Sequence, residues 1–179
     1  MTDPDRRRVC DKRWVALIVC IYSAMATGTA YAYGMYSGAL GATFNFTIDQ
    51  LDTIPMIGSF SGLVTFVGGI ITDRCGAHVA VLLGGLLMSA SFTLFWVFGS
   101  LTIDARPWFQ DNEQQGPLIV FSALTFILYF SSGCITGGTF ATVVRNFPNS
   151  KGSAVGLVKG YVGICGGMCV LAVNLSALL

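Results

Sequence analysis

The chain is a succession of long apolar runs separated by short polar segments. The first run covers residues 14–36 without a single charge. A second covers 54–72 and stops at Asp73-Arg74, a third covers 79–100, a fourth 118–144, and a fifth opens at 152 and reaches 179. An α-helix rises about 1.5 Å per residue and a bilayer's hydrocarbon core is about 30 Å thick, so roughly 20 apolar residues make one crossing. Strands of a membrane barrel would instead alternate over only about 10 residues. In hydrocarbon every backbone N–H and C=O needs an internal partner, and a helix supplies these within one segment. The pattern therefore predicts an all-α fold, a polytopic membrane helix bundle of about five transmembrane helices spanning residues 14–179.

Composition agrees. Hydrophobic residues make up 54% of the 179 and charged ones 11%, against roughly 25% charged in soluble domains. Residues 1–13 form a basic tail with Arg6, Arg7, Arg8, Lys12 and Arg13. A cleaved signal peptide fits poorly, because its apolar core would be about 7–15 residues long and four more apolar runs would not follow. With five crossings the tail, the turn at Asp73-Arg74 and the loop from Arg145 to Lys151 share one side. The opposite loops hold Asp49, Asp52, Asp104, Asp111 and Glu113 with a single Arg106. The excess of Lys and Arg places the N-terminus in the cytoplasm. Asn45-Phe-Thr47, in the first outer loop, has the form of a glycosylation sequon.

Candidate chemistry lies on helix faces. The fourth run carries Ser122, Thr125, Tyr129, Ser132, Thr136 and Thr139 at alternating spacings of three and four. Such a face belongs inside the bundle, where it either bonds to neighbouring helices or lines a hydrated path. The first run repeats the theme with Tyr22, Thr29, Tyr33 and Tyr36. In the fifth run Gly152, Gly156, Gly160, Gly163 and Gly167 form a stripe, the signature of tight helix packing, or of a helix with room to slide. Lys159 is the one charge well inside a span, where a cation costs at least ~2.5 kcal/mol. It either snorkels to the interface or faces the path; in the second case an anionic or zwitterionic substrate, or a coupling role, follows.

No Ser/His pair, paired carboxylates or metal-ligand cluster lies at membrane depth, so an enzyme is not expected. The six cysteines have no CxxC spacing. No cofactor, metal or nucleic-acid motif is present; the basic tail reads as a topology signal.

Gly69-Ile-Ile-Thr-Asp73-Arg74-Cys-Gly76 resembles the loop signature of the major facilitator superfamily, between its second and third helices. Ala77 and His78 depart from the usual basic pair. Ala26-Thr-Gly28-Thr-Ala-Tyr31-Ala-Tyr-Gly34, Arg145-Asn-Phe-Pro148 and Gly156-Leu-Val-Lys159-Gly160 resemble the nodulin-like branch of that superfamily. The resemblance implies a secondary carrier of twelve helices in two halves, of which this chain holds an incomplete N-terminal half and lacks the C-terminal one. It implies a small-molecule solute and a cytoplasmic gate formed by Gly69, Asp73, Arg74 and Gly76, with Asp73 paired to Arg145. The solute path expected from the residues themselves comprises Tyr22, Thr29, Tyr33, Ser122, Thr125, Tyr129, Ser132, Thr136 and Lys159. The alternative is a scaffold or receptor-like membrane protein that transports nothing.

Overall fold

A computed structural model describes residues 3–104 and 115–178, and every regular element among them is helical. The first pass is α1 (Asp3–Gly28), a 3₁₀ turn (Thr29–Ala32) and α2 (Tyr33–Phe44). The second is α3 (Ile48–Phe60), a 3₁₀ turn (Ser61–Leu63) and α4 (Phe66–Cys75), bent by 42° at the break. α5 (Ala77–Asp104), α6 (Gln115–Asn146) and α7 (Lys151–Leu178) follow. The loop charges Arg106, Asp111 and Glu113 lie outside the described residues, as do the side chains of Arg6, Arg7, Arg8 and Asp104.

All five apolar runs form helices, with corrected limits. The first was expected to end at 36 but continues to Phe44, since the small residues Ser37, Gly38, Ala39 and Gly41 lower hydropathy without stopping a helix. The basic tail is helical from Asp3 onward. The second begins at Ile48, six residues early, where the Thr47 N–H donates to Gln50 Oε1 (3.1 Å), as in a capping box. Among the described residues three helices are long and apolar enough to cross a membrane, and the bent pair makes a fourth. α7, the fifth crossing expected, is a 28-residue helix whose apolar C-terminal end lies outside the residues with described side chains.

α6 is the hub. Half of its most apolar stretch is buried, against 17% for α5. One core cluster joins Leu17, Cys20 and Ala24 of α1 to Val143 of α6 and Ala154, Val158 and Val162 of α7. A second joins Ala30 and Met88 to Leu128 and Ile135 of α6. The third packs Leu40, Phe46 and Ile54 on Phe121, with Tyr36, Phe44 and Phe95 closing an aromatic network. Outward faces are apolar: Trp14, Ile18, Leu82, Leu86 and Trp96 are all more than half exposed. A surface of that kind suits lipid, and the chain is an integral membrane protein.

Close helix approaches rely on glycines that local spacing does not single out. A Cβ on Gly84 would stand 2.7 Å from Ile135 Cγ1 and 2.9 Å from the Ser131 carbonyl, so α5 lies directly on α6. One on Gly28 would meet the Val162 carbonyl at 2.5 Å, where α1 crosses α7. By contrast Gly152, Gly156, Gly160, Gly163 and Gly167 have nothing within 4 Å of such an atom. The expected packing stripe faces open space among the described residues.

Three chain regions meet at one end of the bundle. Trp14 contacts Phe147 edge-on at 5.9 Å, joining the start of α1 to the α6–α7 loop. Arg145 of α6 reaches Asp73 of α4 at 3.6 Å. Gly76, with φ of 96°, ends α4 there and donates its N–H to the Thr72 carbonyl. This is a left-handed backbone that glycine adopts without strain.

Candidate functional site

The two interrupted passes matter because of where their breaks fall. Pro55 inside α3 offers no N–H to the helix ladder. Beyond it Ser59 Oγ donates to the Pro55 carbonyl (2.9 Å) and Thr65 Oγ1 to the Ser61 carbonyl (3.0 Å). Between them the backbone tightens to 3₁₀ bonds, Val64 N–H to Ser61 O and Thr65 N–H to Gly62 O. Side-chain bonds to the preceding turn and a tightened backbone together bend the pass. Gly133 of α6 lets the break approach, since a Cβ there would stand 2.6 Å from Thr65 Cγ2. In the first pass the 3₁₀ turn presents Tyr31, whose ring lies 6.2 Å from that of Tyr129.

A cleft of about 590 Å³ opens between these breaks, α6 and α7. Tyr31 comes from the first break, Ser59, Ser61 and Thr65 from the second, Tyr129, Ser132 and Thr136 from α6, and Lys159 from α7. Among the described residues no carboxylate lines it. Lys159 Nζ lies 5.9 Å from the Phe140 ring centroid, within cation–π range. Among the described residues no acid pairs with it. Lys159 and Tyr31 also form the wall of an adjoining cavity of about 500 Å³, lined by Val162, Gly163, Gly166 and Gly167. A further cavity of about 340 Å³, between α2, α5 and Phe121, is walled mainly by aromatic rings, and among the described residues Tyr36, Thr43 and the indole of Trp96 are its polar side chains. It offers no comparable set of convergent polar groups.

Of the expected path residues, Tyr129, Ser132, Thr136 and Lys159 meet in the cleft. Tyr22 is 71% exposed on the outer face of α1. The Thr29 hydroxyl bonds back to the Ala26 carbonyl (2.7 Å), and Tyr33 donates to the Leu51 carbonyl (2.8 Å), fastening α2 to α3. Ser122 and Thr125 are buried toward the other end of α6; Thr125 bonds to the Phe121 carbonyl, while Ser122 Oγ has no partner among the described residues. None of these five lines the cleft. Tyr31, Ser59, Ser61 and Thr65 do, and sequence reasoning did not select them. The signal available for three of them was the dense run of small and polar residues from Gly58 to Thr65 inside an otherwise apolar span.

Of the loop-motif residues, Asp73 lies beside Arg145. Asp73 and Arg145 form their ion pair with both side chains largely exposed, 77% and 65%. Such a pair is worth about 0–1 kcal/mol, too little to hold the bundle together. Gly69 faces open space and Arg74 is exposed.

Comparison with known proteins adds identity. The chain is similar over residues 13–177 to the family described as Nodulin-like. It is 27% identical over 143 residues to an MFS-type transporter of Aspergillus fumigatus, an alignment covering 78% of this chain and 29% of that protein. The chain thus spans under a third of the length of that curated relative. No solved structure matches it. The chain belongs to the nodulin-like family of the major facilitator superfamily.

Proposed function

We propose that the chain is the N-terminal part of a secondary carrier that moves a small solute by alternating access, with its N-terminus in the cytoplasm. The observation that carries this reading is the meeting of two helix breaks at one polar cleft. Irregular backbone at membrane depth is tolerated only where it is buried in protein or lines a cavity, and discontinuous helices of this kind form the binding sites of many carriers. Tyr31, Tyr129, Ser132, Thr136 and Lys159 line the solute path. The turn at Gly69–Gly76 and the Asp73–Arg145 pair act as a cytoplasmic latch against the C-terminal half.

Uptake into proteoliposomes by the full-length protein, screened over small organic anions, amino acids and metal chelates, tests the carrier role. Accumulation of at least one solute is expected. Correctly inserted protein that moves none would leave the scaffold or receptor reading in its place. Orientation has its own assay, because Cys75 in the latch turn is exposed. A membrane-impermeant maleimide should label it only after the cytoplasmic face is opened; labelling from outside reverses the topology.

A further inference from the structure

We infer that the solute is a small organic monoanion with an apolar body, its anionic head held by Lys159 in the hydroxyl-lined cleft and its body lying along Gly163 and Gly167 of α7. This rests on the reading of the cleft as the solute path.

The first argument is charge. Lys159 stands eight residues beyond Lys151, about 12 Å along the helix at 1.5 Å per residue. A cation at that depth is costly unless it is paired. Among the described residues its one recorded partner is the face of Phe140, and no acid lines either cavity beside it. The missing counter-charge is one that an arriving anion supplies. A cationic solute would be repelled, and the ammonium group of a zwitterion would find no carboxylate among the lining residues.

The second argument is shape. Lys159 and Tyr31 belong to both cavities, so a ligand held at the lysine can extend either way. On one side stand the hydroxyls of Tyr129, Ser132 and Thr136, ready to donate to an anionic oxygen. On the other side Val162 and the bare backbone face at Gly163 and Gly167 offer an apolar surface with no donor side chain. A site polar at one end and smooth at the other fits a carboxylate carried on an apolar group better than a compact inorganic anion.

Binding of radiolabelled benzoate to the full-length protein in lipid nanodiscs tests this, with benzamide, benzylamine, acetate and inorganic phosphate as competitors. Benzoate is expected to bind, and the neutral and cationic analogues to compete at least about tenfold more weakly, as does phosphate. Lys159→Gln should weaken benzoate by about tenfold or more, while Lys159→Arg retains most of the affinity. Removing a charge from the membrane favours insertion, so Lys159→Gln keeps its helical circular dichroism. Gly163→Leu should weaken benzoate and leave acetate unchanged, because the new side chain fills only the smooth side. The inference is overturned if benzoate does not bind, if benzamide or phosphate competes equally well, or if Lys159→Gln changes nothing. The carrier reading fails separately: benzoate bound but not moved refutes transport alone, whereas Lys159-independent uptake of a neutral solute refutes the anion site alone.

Discussion

Gly84 and Gly85 are neighbours on α5, and an alanine at each position is expected to act in opposite directions. At Gly84 the new Cβ would stand 2.7 Å from Ile135 Cγ1, 2.9 Å from the Ser131 carbonyl oxygen and 3.2 Å from the Ile135 nitrogen. Carbon atoms in good contact lie about 3.5–4.0 Å apart. Two of the three obstacles are backbone atoms of α6, which no rotamer change can move, so the helices must separate. At Gly85 nothing lies within 4 Å. Both alanines gain helix propensity, up to about 1 kcal/mol each, and this common gain cancels in the comparison. The difference isolates the steric cost, about 2 kcal/mol within the usual 1–3 for an overfilled contact. For a protein of 179 residues that is a gap of about 4–8 °C in Tm. Thermal unfolding in detergent, followed with a thiol-reactive dye as buried Cys20 and Cys134 become exposed, reads it directly. Gly85→Ala should unfold at or above the wild-type temperature and Gly84→Ala below it. Equal midpoints would refute the direct seating of α5 on α6.

Four further outcomes are expected. Gly76→Ala places a side chain at φ 96° and should lower stability by about 1–2 kcal/mol in the same unfolding assay. Tyr33→Phe removes the bond to the Leu51 carbonyl and should cost about 0.5–1.5 kcal/mol, with uptake affinity unchanged because the residue lies outside the cleft. Asp73→Asn breaks an exposed pair and should shift stability by less than about 1 kcal/mol while reducing uptake. The double exchange Asp73→Arg with Arg145→Asp should restore uptake; failure to do so would show that the charges act through other partners.

The five apolar runs made the helices legible because hydropathy reports burial away from water, which each run satisfies regardless of its neighbours. Backbone interruption is a different property. Tyr31 lies within an apolar stretch whose mean hydropathy gives no hint of a 3₁₀ turn, and Ser59, Ser61 and Thr65 were marked only by the run of small and polar residues around them. Hydroxyl periodicity on α6 correctly placed a polar face inside the bundle. It could not separate Thr125, whose hydroxyl is satisfied by its own helix, from Ser132 and Thr136, which line the cavity. The glycines misled for a related reason. Whether a glycine admits a neighbour depends on what crosses it, as Ile135 crosses Gly84, and no local spacing in α7 records such a crossing. Lys159 stood out because a charge in an apolar run is rare, yet its double position between two cavities depends on α1 and its break.

The central place of α6 carries a consequence for how the molecule is made. Each of the three core clusters needs a residue from it: Val143 in one, Leu128 and Ile135 in another, Phe121 in the third. The first three passes leave the ribosome before α6 does, and at that moment none of these clusters can close. Until the fourth pass arrives, the cleft-forming breaks at Thr29–Ala32 and Ser61–Leu63 have no α6 wall to cover them. Biogenesis therefore includes an interval in which half-built helices depend on the insertion machinery or on lipid for their company. A lesion in α6 is expected to appear first as loss of protein during synthesis, before any defect in solute handling can be observed.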